Sequence, residues 1–292
     1  MPYKSKAYRI FEICNTTFLS LLAVLCVLPL IHVFSISLSS SAAAMGNIVT
    51  FWPVDLTFEA YMETLGNDNF IRSLWIGVQR TLLGTLISMT VIVLAAYSLA
   101  KEEGRFRGRT VYSWFFVFTM LFHAGLIPTY LVVKGTGLTN TIWALVIPGA
   151  VSVWNLILML NFFRALPKEL EEAALIDGAG HFTTLFRIFI PISLPAMATI
   201  SLFTLVHHWN SWFDGMIYMS DASRYPLSTF LRSIIVAEDF TKLGLTEDDI
   251  KNISPRTVKA SQIFIGALPV LAVYPFLQRY FVKGMVLGSV KE

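Results

Sequence analysis

Residues 82–100 read LLGTLISMTVIVLAAYSLA, a run of nineteen residues without a charge. At a helical rise of about 1.5 Å per residue the run reaches about 28 Å, close to the ~30 Å hydrocarbon thickness of a bilayer. Moving outward, comparable apolar runs occupy about 10–37 on one side and about 111–133, 142–163, 192–213 and 263–282 on the other. The expectation is an all-α membrane protein, a single transmembrane domain over 1–292 with six transmembrane helices. Composition points the same way, since 55% of the 292 residues are hydrophobic and 14% charged, against roughly 25% charged in soluble domains. The net charge of +3 is small and the Lys and Arg are scattered, which excludes a nucleic-acid footprint.

The segments around these runs are read separately. Phe70 to Val78 is also apolar, but Arg72 and Arg80 bracket it, which predicts a short interfacial helix leading into the second span. Arg80 is expected to snorkel to the outer interface. The basic start (Lys4, Lys6, Arg9) precedes an apolar run far longer than the roughly 7–15 residues of a signal peptide, so it reads as a retained first span. Cys14 and Cys26 would lie about 18 Å apart on that helix, too far for a disulfide.

Basic residues orient the spans. Lys101, Arg105, Arg107 and Arg109 crowd one short loop; Arg164, Lys168 and Arg187 fall in the next loop on the same side, and Arg279, Lys283 and Lys291 close the chain. Asp55, Glu59, Glu63 and Asp68 make the first loop of the other side acidic. The N- and C-termini are therefore expected in the cytoplasm, with contact to anionic lipid explaining the 101–109 run. A large outer loop spans 214–260, with a helix start expected at Thr246-Glu247-Asp248-Asp249.

The inner loop 164–191 is long, mixed in charge and strongly patterned. Pro167 suits a first helical position, and Glu169, Glu171 and Glu172 put negative charge near the positive end of the helix dipole. Gly178 can take the left-handed conformation that stops a helix after about eleven residues. Beyond Gly180, the residues Phe182, Leu185, Phe186 and Phe189 recur at i, i+3, i+4 and i+7, giving a second helix one apolar face that needs a partner. Leu170, Ala173, Ala174 and Asp177 share a face of the first helix, where the alanines would let another protein's backbone approach. Pro191 and Pro195 then break or kink the chain as it re-enters the membrane.

Glu172-Ala173-Ala174, three residues, Gly178, nine residues, then Ile188-Phe189-Ile190-Pro191 resembles the EAA loop of binding-protein-dependent ABC importer permeases, with Ile190 where Leu is usual. The likeness extends to Trp209-Asn210-Ser211-Trp212-Phe213, Tyr274-Pro275-Phe276-Leu277-Gln278 and Phe281-Val282-Lys283-Gly284, whose surroundings are similar to the carbohydrate branch, including maltose-type and alginate-type oligosaccharide permeases. The resemblance implies a coupling helix seated in a cleft of a cytoplasmic ATPase. It assigns Glu172, Ala173, Ala174, Asp177 and Gly178 to ATPase coupling. It also implies the partners: a second homologous permease, two ABC ATPase subunits that use ATP and Mg, and an extracytoplasmic substrate-binding protein. No G-x-x-x-x-G-K-[ST] loop occurs in the chain, so ATP hydrolysis is expected in another polypeptide and no cofactor in this one.

Near the end of the fifth span stand His207, His208, Trp209, Asn210, Trp212 and Asp214. Trp209, Asn210, Trp212 and Asp214 fit a sugar path, and the aromatics equally fit an interfacial belt. Asn155 is a second candidate for that path, against the alternative of an interhelical hydrogen bond. His207 and His208 point to different helix faces and no further ligand stands at a metal offset, so no metal site is expected.

Two rivals remain, a membrane-embedded enzyme and a passive channel. The first needs a catalytic constellation, of which the sequence has neither H-E-x-x-H nor paired intramembrane aspartates. The second has no use for a coupling loop. A single cysteine introduced between 165 and 190 is expected to react with membrane-impermeant maleimide in inside-out vesicles and to stay unreacted in intact cells. Labelling from outside the cell would overturn the topology.

Overall fold

The computed structural model describes residues 6–102, 104, 106–236 and 255–289, with side chains in the last segment through 276. Among the described residues there are helices and irregular connections and no strand. The helix start expected at 246–249 lies outside them.

The first apolar run forms α1 (Lys6–Ser37), which is 32 residues long and exposes Leu, Ile, Val and Phe side chains over most of its length. Short helices α2 (Ser41–Met45) and α3 (Glu59–Gly66) follow. Helix α4 runs unbroken from Asp68 to Ala100, 33 residues. The short interfacial helix expected over 70–78 is thus the first part of one long helix. Its start is fixed by Asn67, whose side chain accepts from the Phe70 N–H at 3.1 Å, and no proline interrupts it. The expected break rested on Arg72 and Arg80 bracketing the segment; Arg72 is exposed, and the Arg80 charge is neutralised within the protein, as described below.

The third and fourth runs are not single straight helices. Helix α5 (Arg109–Leu121) and α6 (Leu126–Gly135) meet at 117°. Pro128 sits in the first turn of α6, where its missing N–H leaves no helical bond unmade. Helix α7 (Ile142–Val146) ends before Pro148, whose ring would clash with the carbonyl four residues back. Helix α8 (Val153–Ala165) restarts at Ser152, which accepts from the Asn155 N–H at 3.4 Å.

Then come α9 (Lys168–Ile176) and α10 (His181–Ile192), with α10 meeting α11 (Leu194–Asn210) at 83° around Ser193, between the two prolines expected to break the chain. Short α12 (Phe213–Tyr218), α13 (Leu227–Val236) and α14 (Pro255–Ser289) complete the order. Among the described residues three helices are long and apolar enough to cross a bilayer, five if each bent pair crosses as one, and α8 is a shorter apolar helix.

The chain forms two compact units. One is drawn from residues up to 71 and from 233–268. In it Ile36, Ala43, Ala44, Val49 and Ala260 form a small core, and Thr64 shares a 2.5 Å hydrogen bond with Ser261. Arg256 donates to the Ala44 carbonyl at 2.8 Å and to the Asn47 side chain.

The second unit is drawn from 72–232 and from 269 onward. Its core interleaves Ile92, Ala96 and Tyr97 of α4 with Met159 and Phe163 of α8, Leu185 and Phe189 of α10, and Ile200 of α11. Tyr97 stands edge-on to Phe163 and Phe189, with ring centroids 6.4 and 5.0 Å away.

Helices α4 and α11 come so close at Gly84 that a Cβ there would lie 2.6 Å from the ring of buried His208. The smallest residue is what lets the two backbones approach, as at other close membrane-helix contacts. Gly84→Ala is expected to lower stability by about 1–3 kcal/mol through overpacking, read as a drop in the thermal unfolding temperature of the purified protein. Adding His208→Ala to that background should recover part of the loss.

Candidate functional site

The hairpin of α9 and α10 is built by local rules. Glu169 and Glu171 occupy the first turn of α9, and its end is a complete left-handed cap. Gly178 has φ +79°, its N–H donates to the Leu175 carbonyl at 3.0 Å, and the Ala179 N–H donates to the Ala174 carbonyl at 2.9 Å. The helix is nine residues rather than about eleven.

The second limb departs from the expected α-helical face. Leu185–Phe189 is wound as a π-helix, which breaks the i, i+3, i+4, i+7 register. Leu185 and Phe189 turn into the core, while Phe182 is 72% and Phe186 58% exposed. On the first limb Ile176 is 85% exposed. Glu172, Ala173, Asp177 and Gly178 are exposed as well, whereas Ala174 is buried behind them. The hairpin therefore presents an apolar tip between carboxylates, while Ala174, Leu185 and Phe189 are used inside the chain.

Lys101, first residue after α4, carries the hairpin from behind. Its ammonium lies 2.7 Å from Glu171 Oε1, 3.7 Å from the centroid of the Tyr97 ring and 4.9 Å from that of Phe189. The expectation that lipid contact explains Lys101 is corrected, for it is 8% exposed and engaged inside the protein. A neighbouring pair, Lys168 with Glu102, is open to water, and the carboxylate raises the Lys168 pKa above the ordinary lysine value. Exposed pairs of this kind contribute about 0–1 kcal/mol, whereas removing one partner of a buried pair costs about 3–5 kcal/mol, so the Lys101 pair is the one that constrains the hairpin. Arg164 donates to the Leu99 carbonyl at 3.1 Å and Arg109 to the Lys101 carbonyl at 3.0 Å. The 101–109 and 164–191 loops, both read as inner, thus meet at one end of this unit.

The other end holds the remaining candidates. Arg80, 2% exposed, donates to both carboxylate oxygens of Asp214 and to the Ser211 carbonyl at 2.8 Å. It does not snorkel, because a carboxylate and a carbonyl supply inside the protein what interfacial water would otherwise supply. Asp214 is accordingly half of an ion pair. Trp212 is half-buried with the Arg232 guanidinium 4.9 Å from its ring centroid; Trp209 is half-buried and Asn210 exposed. Asn155 is buried and donates to Thr204 at 3.3 Å, the interhelical bond weighed as its alternative employment. Arg80, Trp212 and Asp214 are brought together, and Asn155 is engaged deeper, between α8 and α11.

Sequence reasoning missed Lys101, Glu171 and Arg80. The signal was present for Lys101, which lies four residues after Tyr97 at the end of an uncharged run, the offset at which an ammonium can fold back over a ring one helical turn earlier. Among the described residues no group of three His, Cys, Asp or Glu side chains could hold a metal.

Long apolar helices, some broken at membrane length, with a capped hairpin at one end, are the make-up of a multi-pass membrane protein. Residues 92–287 match the family described as binding-protein-dependent transport system inner membrane component, and the chain belongs to that family. It is similar to Protein LplC of Bacillus subtilis (strain 168), 38% identical over 99% of this chain and 97% of the relative. It is equally close to the polygalacturonan/rhamnogalacturonan transport system permease protein YtcP of the same organism, 38% identical over 97% of this chain and 99% of that one. Among solved structures it resembles a chain of a bacterial ABC transporter involved in the import of the acidic polysaccharide alginate. There the TM-score is 0.86 and the identity 35%, covering 96% of this chain and 100% of that one. The expected family resemblance holds.

Gly178→Val should leave the protein in the membrane at near-normal levels, since no atom lies within 4 Å of the added Cβ. The left-handed backbone should still cost a β-branched residue about 1–2 kcal/mol or more. If Gly178 has the coupling role that the family resemblance assigns it, the expected outcome is loss of substrate-stimulated ATP hydrolysis in the assembled complex, measured as phosphate release; normal coupled turnover would overturn that assignment.

Proposed function

We propose that this chain is the permease subunit of an ATP-driven importer that moves oligosaccharides across the cytoplasmic membrane by alternating access, with uronic-acid-containing oligosaccharides as the substrate class. Family membership supports the transport role. The substrate class is supported by what two relatives are said to handle, polygalacturonan with rhamnogalacturonan in one case and the acidic polysaccharide alginate in the other.

The observation that carries coupling is the hairpin tip. Ile176 and Phe182 stand in the open on a polar end of the unit, and large apolar side chains so exposed mark a surface that another protein covers. In this reading Glu172, Ala173 and Asp177 enter the cleft of an ABC ATPase, with Ala174 and Gly178 setting the shape of the loop they sit on. Two such ATPases, holding ATP and Mg, close on each other and swing the membrane helices between inward-facing and outward-facing states. A second homologous permease completes the pathway, and an external binding protein delivers cargo.

The six crossings in this proposal are α1, α4, the bent pair α5–α6, α7 with α8, α11 and α14, as one transmembrane domain with both termini in the cytoplasm. Trp209, Asn210 and Trp212 flank the path, while Asn155 and Asp214, engaged by Thr204 and Arg80, hold the helices around it. Tryptophan faces suit the apolar faces of pyranose rings, and the amide of Asn210 suits their hydroxyls.

The test is uptake by the whole complex in proteoliposomes, supplied with its binding protein and either short oligouronides or neutral maltodextrins. ATP-dependent accumulation of oligouronides, lost when Ile176→Asp and Phe182→Asp remove the apolar tip, is expected. Equal uptake without ATP, or a preference for maltodextrins, would overturn the reading in its coupling or its substrate half respectively.

A further inference from the structure

The two limbs of the hairpin meet at the left-handed turn of Gly178, so a push on the tip reaches the membrane as one displacement only if both limbs are tied to the same membrane helix. The structure supplies one tie that reaches both. Lys101 directly follows Ala100, the last residue of α4. Its ammonium is 2.7 Å from Glu171 on α9 and 4.9 Å from the Phe189 ring centroid on α10. It also lies 3.7 Å from the ring centroid of Tyr97 in the last turns of α4 itself. One charge therefore meets the end of the second long helix, the first limb and the second limb.

We infer that Lys101 is a positioning residue for coupling, transmitting hairpin displacement to α4 through Glu171, Tyr97 and Phe189. This rests on the permease reading and adds the route by which motion enters the membrane. Glu171 and Glu172 are adjacent yet divide the work: Glu171 faces inward to Lys101, while Glu172 stays on the exposed side. With Lys101 8% and Glu171 12% exposed, water screens the attraction little, so the tie holds while the tip is displaced. The Lys168–Glu102 pair joins the same two segments but is 75% and 64% exposed, and it serves as a built-in comparison.

The experiment uses the full complex with its ATPases and binding protein in proteoliposomes. Three variants are compared: Lys101→Met with Glu171→Met, which removes the tie without stranding a buried charge; Lys101→Arg, which keeps a cation able to pair and to stack; and Lys168→Met with Glu102→Gln. The Lys101/Glu171 double variant is expected to co-purify with the ATPases and to unfold at a similar temperature. Its substrate-stimulated ATP hydrolysis and uptake should fall about tenfold. Lys101→Arg should retain most coupling, and the Lys168/Glu102 variant should stay within about twofold of the parent. Coupling within about twofold of the parent in the Lys101/Glu171 double variant, or loss of ATPase co-purification in it, would overturn the proposal, the latter by showing a structural role alone. Failure of the unsubstituted chain to co-purify with a P-loop ATPase would strike the permease reading itself.

Discussion

A charge in hydrocarbon must find a partner, and α4 meets this constraint twice, at Arg80 within its first half and at Lys101 just past its last residue. Arg80 and Lys101 are separated by 21 positions, about 32 Å at helical rise, close to the thickness of the apolar layer. Each is buried, and each is met by a carboxylate from a later part of the chain, Asp214 at one end and Glu171 at the other. The long helix between them is thus pinned to the unit's two polar ends. Its middle packs through Ile92, Ala96 and Tyr97 against α8, α10 and α11. The two ion pairs add ties from α4 and the residue after it to α12 and α9, which carry Asp214 and Glu171.

The hairpin follows from the same economy of surface. Its first limb ends because Gly178 adopts a backbone conformation that few side chains tolerate, and its cap satisfies two carbonyls that would otherwise be left open. Its second limb divides its aromatics, with Phe189 in the core and Phe182 outside. What remains exposed is apolar, Ile176 and Phe182 among it, and is flanked by Glu172 and Asp177.

Much of this was legible in the sequence, and the misses share a cause. Uncharged runs reveal membrane helices because length and hydropathy are local properties, and Gly178 was legible because a helix stop is local as well. Arg80 was misread as an interfacial residue because its partner lies 134 positions away, and Lys101 as a lipid contact because Glu171 lies 70 positions away. A lone cation beside an apolar run has the same appearance whether it reaches water or a distant carboxylate. The breaks in the third and fourth runs were marked by Pro128 and Pro148. Their reading as single spans relied on hydropathy, which says nothing of direction. Asn155 makes the interhelical bond that was the alternative to a place on the sugar path, its buried amide finding the Thr204 hydroxyl across the interface.

The wide turn at Leu185–Phe189 has a consequence for how this chain tolerates change in length. A π turn holds one residue more than an α turn, so everything after it is phase-shifted by about 100° relative to uninterrupted winding. Leu185 and Phe189, four positions apart, share the buried face, and the extra residue sets the azimuth at which Ser193 turns the chain into α11. A one-residue deletion there would leave the Gly178 cap and the open tip intact while rotating the entry to the fifth span. Insertions and deletions are therefore expected to be excluded from this short tract even where substitutions are accepted.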